Sequence, residues 1–166
     1  MFDFMGVLFE PGHIIKNGFY PLLRERFTYE ELKSAYKKAV LGDSYLLNSM
    51  IPVEEQRRIL LEIVKPKFDF SLLKNVRAYG LTNLPALWGF TLYETYLERH
   101  FSGVFISGCM GVKKPDEEVY KRITTVLGND IVFFDDKEEN IINAKKMGWN
   151  AVLVKDNVAE VIKEFL

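Results

Sequence analysis

The feature that most constrains this chain is a set of five short apolar runs that alternate with helical patterns. Near-continuous apolar runs of this length are typical of strands that are covered on both faces, as in a parallel sheet. Strands that alternate with helices along a chain predict a doubly wound α/β core. The five predicted strands span residues 1–9, 76–81, 104–107, 131–134 and 151–154.

Helical patterns separate the later strands. One spans residues 85–100. A second begins at Pro115, which we place in the first helical turn, and ends at Gly128. Two more span residues 139–147 and 158–166. These segments supply the helices that a parallel sheet needs on its faces.

Residues 10–75 have a different character, because every pattern in them is helical. Thr28 and Glu31 have the spacing of a capping box at the start of a helix that we expect to end at Gly42. A second helix is expected to begin at Pro52. We therefore predict a helical insertion after the first strand.

The predicted organisation is a core of residues 1–9 and 76–166 interrupted by the insertion at residues 10–75. A length of 166 residues suits one domain with a small insertion. A formal net charge of −1 with interspersed signs gives no basic stripe for nucleic acid. No apolar run approaches the roughly 20 residues of a membrane span. The single cysteine, Cys109, suits a reducing compartment, so we expect a cytoplasmic protein.

Polar and charged residues lie at the ends of the predicted strands and in one loop between them. In chain order they are Asp3, Thr82 and Asn83, Lys114, and the pair Asp135 and Asp136. Because ligands of open α/β sheets bind outside the carboxyl ends of the strands, separate strands would bring these side chains together. The acidic pair follows a run that should be buried, and the high cost of an unpaired buried charge favours a bound cation. Taken alone, each residue could instead belong to a turn or a solvated loop.

The whole set of motifs, in this order, resembles the haloacid dehalogenase-like hydrolases over nearly the entire chain. The short helical insertion resembles the small-cap members related to glucose-1-phosphate phosphatases and to the N-terminal domain of soluble epoxide hydrolases. The resemblance implies that Asp3 is a nucleophile that forms an aspartyl-phosphate, which water then cleaves. It also implies a Mg²⁺ cofactor held by carboxylates and by the substrate phosphate.

The resemblance further implies which residues hold the metal. Asp3 and Asp136 would bind it together with the backbone carbonyl of Met5. Asp135 would be either a further ligand or the partner of Lys114. Lys114 would supply a positive charge that offsets the repulsion between a carboxylate and a phosphate dianion.

The remaining polar residues are expected to hold the phosphoryl group or to order the site. The Thr82 hydroxyl would hold phosphoryl oxygens, with Asn83 beside them. Asn140 is expected to cap the helix that follows the acidic pair and to order the acidic loop. Lys113 is expected to be the exposed neighbour of Lys114, because the family's lysine directly precedes the proline.

Met5 departs from the family's pattern. The phosphatases of the family usually have an aspartate at this position, whose carbonyl binds the metal and whose carboxyl group protonates the leaving oxygen. Met5 keeps the carbonyl and loses the acid, so we expect weak hydrolysis of esters with poor leaving groups. Two alternatives stay open. One is a non-catalytic protein that binds a phosphometabolite, and the other is a phosphonate hydrolase in which Lys16 forms a Schiff base.

The expected partner is a small phosphorylated metabolite, with His13, Tyr20 and Arg24 as candidate residues that select it. A small cap leaves room for a sizeable substrate, or a partner subunit in a homodimer completes the site. Only Met1 and Phe2 precede the predicted nucleophile. Either the natural N-terminus is longer or the central strand is short.

Overall fold

The computed structural model describes residues 1–155 and 157–165. Its strands are β1 (Phe9–Glu10), β2 (Lys65–Pro66), β3 (Tyr79–Thr82), β4 (Gly103–Ile106), β5 (Val132–Asp135) and β6 (Asn150–Leu153). β3 pairs with β4 and β5 pairs with β6, both in parallel. These four strands coincide, within a few residues at each end, with the last four predicted strands, which are confirmed.

The N-terminal residues lie between β3 and β5 and connect the two strand pairs. The amide of Phe2 donates to the carbonyl of Tyr79, and the amide of Asp3 donates to the carbonyl of Phe134, both at 2.9 Å. Phe2 also forms parallel bridges on both sides. The order across the strands is therefore β4, β3, the N-terminal residues, β5 and β6, with Asp3 at the carboxyl end of the central position.

The predicted first strand, residues 1–9, is wrong beyond Asp3, because the chain turns there. The amide of Leu8 donates to the carbonyl of Phe4 at 2.9 Å. Gly6 takes a φ of +93°, a conformation that only glycine adopts readily. An apolar run does not distinguish a strand from a buried turn, which is why the pattern misled the prediction.

Successive strand side chains enter two separate apolar clusters, as the two-residue period of a strand requires. Phe133 packs in one cluster with Trp149, with 5.8 Å between ring centroids. Phe134 packs in the other cluster, stacked on Phe2 at 4.9 Å. Apolar packing on both sides is what the near-continuous apolar runs indicate, while the doubly wound arrangement stays a prediction.

The segment between the first two predicted strands is mainly helical, as expected. It contains a π-helical turn (Ile14–Phe19), α1 (Tyr20–Leu23), α2 (Tyr29–Ala39), α3 (Tyr45–Met50), α4 (Val53–Ile63) and a 3-10 turn (Phe70–Leu73). The predicted capping box is confirmed. The amide of Thr28 donates to Glu31 Oε2 at 2.8 Å, and the amide of Glu31 donates to Thr28 Oγ1 at 3.3 Å. The two predicted helices are α2 and α4, and the other elements were not predicted.

The helical segment contacts the core both at its ends and in its middle. Its ends meet where β1 and β2 pair in antiparallel fashion, with Phe9 opposite Pro66. In its middle, Phe19 stacks on Trp88 of the core with 4.1 Å between ring centroids. The indole Nε1 of Trp88 also donates to Gln56 Oε1 at 2.8 Å, so this contact is both apolar and hydrogen-bonded.

The remaining helices are α5 (Ala86–Leu92) with its π-helical continuation (Tyr93–Leu97), α6 (Ser107–Met110), α7 (Glu117–Leu127), α8 (Glu138–Lys146) and α9 (Val158–Lys163). None of the described helices has the length and apolar character that crossing a membrane requires. Leu166, the predicted end of the last helix, lies outside the described residues.

The start of α7 differs from the prediction. Pro115 is not in the first helical turn, because Asp116 is the N-cap and its carboxylate accepts a hydrogen bond from the Glu118 amide at 3.0 Å. This bond satisfies one of the free amides at the start of the helix. The predicted end is confirmed, since Gly128 follows the helix with a φ of +80°.

Candidate active site

Five side chains converge at the carboxyl ends of the central strands, and we call them the floor of the site. They are Asp3, Thr82, Lys114, Asp135 and Asp136. Asp3 ends the N-terminal pairing, Thr82 ends β3, and Asp135 ends β5. Each of the three aspartates offers a carboxylate oxygen within 4.8 Å of the others. The convergence expected from the strand ends is therefore present.

Lys114 is buried, and its ammonium group has three acceptors. Its Nζ donates to Asp135 Oδ2 at 2.6 Å, to Asp3 Oδ1 at 2.8 Å and to the Leu81 carbonyl at 2.9 Å. An ammonium group has three protons, so all of them are used. Lys114 therefore holds Asp3 and Asp135 together and balances part of their charge.

Asn83 positions Lys114. Its Nδ2 donates to the Lys114 carbonyl at 2.7 Å, and the Lys114 amide donates to its Oδ1 at 2.9 Å. The hydroxyl of Tyr36 in α2 donates to the Asn83 carbonyl at 3.0 Å. Sequence reasoning placed Asn83 beside the phosphoryl group and missed these bonds, because nothing in the pattern links loops that lie 31 residues apart.

Asp135 is fully buried, and both its oxygens accept hydrogen bonds. Oδ1 accepts from the Lys137 amide at 2.8 Å, and the Nδ2 of Asn140 lies 2.9 Å from each oxygen. Together with the bond from Lys114, these contacts make Asp135 the partner of the lysine, one of its two expected roles. The expectation that Asn140 caps the following helix is wrong, because Lys137 is the N-cap of α8. Asn140 contacts the acidic loop from inside that helix.

Two buried polar atoms of the floor have no hydrogen-bond partner among the described residues. They are Asp136 Oδ1 and Thr82 Oγ1. Buried polar atoms are nearly always paired in native proteins, so two in one site indicate a position that a ligand completes. Gly6 makes room for the Asp136 carboxylate, which a Cβ at this position would overlap.

Burial and neighbouring charges shift the pKa values of the residues of the floor. Burial raises the pKa of Asp3 to about 7, although the charge of Lys114 opposes the shift. Burial alone would lower the pKa of Lys114, but the carboxylates of Asp135 and Asp3 outweigh it and raise the pKa. Burial, and then the charge of Asp135, raise the pKa of Asp136. Three carboxylates around one lysine therefore favour a bound cation.

A cavity of about 450 Å³ opens over the floor. Its opposite side, which we call the wall, consists of residues 12–16, of one face of α2 formed by Tyr29, Lys33, Tyr36 and Lys37, and of Val40 directly after that helix. Lys113 and Lys137 line the cavity on the core side. The cavity has the size of small-molecule sites in general.

The structure separates the residues that the sequence proposed as substrate contacts. His13 and Lys16 line the cavity, whereas Tyr20 and Arg24 lie outside its lining, and their role in selecting the substrate stays a prediction. The side chain of Met5 is 8% exposed and lies in the lining, where it offers no acidic proton. Sequence reasoning missed Lys33 and Lys37, whose spacing is equally typical of a solvated helix face.

No family model matches the chain. Among curated proteins, the drimenol cyclase drtB of Aspergillus calidoustus is 28% identical over 161 residues, which cover 90% of this chain and 28% of that protein. The sesquiterpene phosphatase astK of Aspergillus oryzae is 33% identical over 90 residues, which cover 52% of this chain and 46% of that protein. The chain thus spans less than half the length of these curated relatives.

Among solved structures, the chain is similar to a HAD family enzyme of Bacteroides thetaiotaomicron. That structure is an aspartate-to-alanine mutant in complex with magnesium and inorganic phosphate. The similarity covers 96% of each chain, with a TM-score of 0.77 and 17% sequence identity. At this level of identity the comparison concerns the fold.

Proposed function

The chain has the haloacid dehalogenase-like (HAD) fold that its motifs predict, and we propose that it hydrolyses phosphate monoesters through an aspartyl-phosphate on Asp3. The observation that carries the proposal is a pair of buried atoms on the floor, Asp136 Oδ1 and Thr82 Oγ1, for which the described residues supply no hydrogen-bond partner. One suits a cation and the other suits a phosphoryl oxygen. Both lie in the site that contains Asp3.

The residues present fit a magnesium ion. Mg²⁺ prefers oxygen ligands and is usually bound by one or two carboxylates together with substrate phosphate. Asp3 and Asp136 would supply carboxylates and Met5 its backbone carbonyl, with Asp135 close enough to contribute a third carboxylate. The partnerless oxygen of Asp136 supports this set. When bound, the ion would neutralise charge as the phosphate approaches the carboxylates.

Asp3 is the nucleophile of the first step. Lys114 occupies Asp3 Oδ1, which leaves Oδ2 for attack on phosphorus. As the new bond forms, the bond between phosphorus and the ester oxygen breaks. The hydroxyl of Thr82 would donate a hydrogen bond to a phosphoryl oxygen. Lys114 acts by its charge, because its three protons are already donated.

A water molecule completes the reaction. It attacks the phosphorus of the aspartyl-phosphate, releases inorganic phosphate and regenerates the Asp3 carboxylate. The leaving oxygen of the first step takes its proton from water, because the Met5 side chain has none to donate. We therefore expect esters with good leaving groups to react faster than alkyl esters.

We further propose that residues 10–75 form a small helical cap on a doubly wound core of residues 1–9 and 76–166. The pairing of β1 with β2 at the two ends of the segment supports a separate unit. The place of α2 in the cavity lining supports a role in substrate choice. The relative astK is by name a sesquiterpene phosphatase, which supports a phosphate ester as substrate.

The test is release of inorganic phosphate from nitrophenyl phosphate and a panel of phosphorylated metabolites, with and without Mg²⁺. The wild-type chain should release phosphate only with the metal. Asp3→Asn should lower kcat by more than about 10³-fold, because the nucleophile is lost. Asp130→Asn is the matched control, since Asp130 is exposed and outside the cavity.

Two results would overturn the proposal. Hydrolysis that survives Asp3→Asn would mean that another residue or water attacks phosphorus. A wild-type chain that binds phosphate with Mg²⁺ in calorimetry but hydrolyses no ester would instead be a phosphometabolite-binding protein.

A further inference from the structure

The cavity carries far more positive charge than one phosphate group requires. Five lysines line it, and Asp3 is the only acidic residue in the lining among the described residues. Two of the lysines, Lys113 and Lys137, belong to core loops beside the floor. The other three come from the helical segment and belong to the wall: Lys16, Lys33 and Lys37.

The negative charges of the floor can be neutralised without the lysines of the wall. Lys114 pairs with two of the three carboxylates, and the proposed metal ion would neutralise the rest. A phosphoryl dianion would then be balanced by Lys113 and Lys137. The three lysines of the wall are not needed to neutralise the phosphoryl group or the carboxylates. Their positive charge can therefore bind another part of the ligand.

Protein neighbours account for only part of the positive charge of the wall. Lys33 lies 3.4 Å from the exposed carboxylate of Glu30 and over the ring of Tyr29. Lys16 and Lys37 form no ion pair with any described residue. Lys33 and Lys37 are also four residues apart on α2, a spacing at which like charges destabilise a helix. Lys37 also lies in the last turn of α2, where a positive charge is favourable, so it is the place of both lysines in the cavity lining, rather than their charge alone, that points to a ligand.

The packing of α2 directs Lys33 and Lys37 towards the cavity. The opposite face of α2 is buried through Leu32, Ala35 and Ala39, so the helix cannot rotate its lysines away from the cavity. Tyr36 lies between the two lysines, and its hydroxyl donates a hydrogen bond to the Asn83 carbonyl. A cleft lined by one sign of charge concentrates ions of the opposite sign.

Resting on the proposed function, we infer that the substrate carries a second anionic group besides the phosphate that Asp3 attacks. Lys33 and Lys37, together with Lys16, bind this second group, which is a phosphate or a carboxylate. A cavity of about 450 Å³ has room for both groups and for a linking carbon chain. The wall thus selects doubly anionic phosphate esters over simple ones.

The experiment measures binding rather than turnover, so it does not depend on catalysis. Propylphosphonate and 3-phosphonopropionate have the same carbon count, and only the second carries a carboxylate. Calorimetry at a fixed excess of Mg²⁺ should give a Kd about tenfold lower for 3-phosphonopropionate, since two partly exposed ion pairs together are worth about one decade. Methylenediphosphonate, measured in parallel, shows whether a second phosphate-like group is preferred to a carboxylate.

The variant Lys33→Gln/Lys37→Gln should strongly reduce this preference, because glutamine keeps the helix but removes two of the three charges of the wall. Lys38→Gln is the matched control. Lys38 is on the same helix and exposed, but lies outside the cavity, so the preference should remain. Thermal melting followed by circular dichroism checks that each variant is folded.

The outcomes separate this inference from the proposed function. Equal Kd values for the two phosphonates in the wild-type chain would overturn the inference, as would an equal loss of preference in Lys38→Gln. A retained preference in a chain that hydrolyses no ester would overturn the proposed function and leave standing only the second anion-binding position formed by the lysines of the wall. If neither phosphonate binds, both fail.

Discussion

The floor and the wall of the cavity hold their charges in opposite ways. On the floor, Lys114 and Asp135 are buried, and every polar atom of their side chains has a protein partner. On the wall, Lys16 and Lys37 are exposed and form no ion pair with described residues. Buried charge needs fixed geometry, whereas exposed charge adapts to what binds. In the function proposed above, the floor would carry out the chemistry and the wall would select the substrate.

The largest expected effect is the loss of stability when the buried lysine of the floor is removed. Lys114→Ala should lower the free energy of unfolding by about 3–5 kcal/mol, because it leaves the buried Asp3 and Asp135 without their cation. Lys113→Ala should stay within about ±0.5 kcal/mol, since Lys113 is exposed. Urea unfolding of the two neighbours measures the contrast. Equal losses would mean that the buried network does not hold the floor together.

A second prediction concerns Met5→Asp, which supplies the proton donor that the site lacks. Met5→Asp should place a proton donor in the cavity lining without changing the backbone carbonyl. We expect kcat for alkyl phosphates to rise by about 10²-fold, or about 2.7 kcal/mol of barrier, and that for nitrophenyl phosphate to change little. Steady-state assays on both esters measure the difference.

Other results of that substitution are equally informative. If both esters stay equally slow while the protein is folded and binds Mg²⁺, the missing acid is not what limits the reaction. If Met5→Asp lowers an existing activity, the methionine serves a different chemistry. Phosphonate cleavage with Lys16, which lines the same cavity, then becomes the leading candidate.

The contrast between the buried floor and the exposed wall also explains what the sequence could predict. Asp3, Thr82 and the acidic pair lie at strand ends, and the pattern of apolar runs is strong enough to predict that these side chains meet at one edge of the sheet. The chemistry of the floor then follows from residue types. The turn at Gly6 escaped prediction because an apolar run has the pattern of a strand whether or not the chain turns within it.

The wall could not be predicted from the sequence in this way. The pattern of α2 identifies its buried face, but the polar face could equally have been exposed to solvent. The packing of the buried face of α2, together with the hydrogen bond between Tyr36 and the Asn83 carbonyl, places Lys33 and Lys37 over the cavity. Long-range contacts of this kind depend on how separate elements pack, which a single sequence does not reveal.

A third prediction separates the two neighbouring aspartates. With Mg²⁺ at ten times its Kd, the wild-type chain should gain about 1.4 kcal/mol of stability, because a ligand of the native state shifts the equilibrium by mass action. Asp136→Asn should remove this gain and leave the metal-free stability nearly unchanged, since Asp136 Oδ1 has no described partner. Asp135→Asn should instead lower the metal-free stability, because Asp135 is the acceptor of Lys114 and Asn140.

Melting curves with and without Mg²⁺ distinguish the two aspartates. An identical response of both variants would contradict the division of roles. Absence of any Mg²⁺ effect on the wild-type chain, even with a phosphate analogue present, would contradict the metal site itself.

The smallest expected effect concerns the one hydrogen bond that ties the wall to the loop behind the floor. Tyr36→Phe removes the donor to the Asn83 carbonyl and should cost about 1 kcal/mol of stability. Tyr29→Phe is the matched control, because Tyr29 also lines the cavity but its hydroxyl forms no hydrogen bond with a described residue. If the bond also holds Lys33 and Lys37 in place, Tyr36→Phe should weaken binding of 3-phosphonopropionate more than binding of propylphosphonate. A loss of stability with unchanged preference would show that the buried face of α2 alone positions the lysines, and that floor and wall act independently.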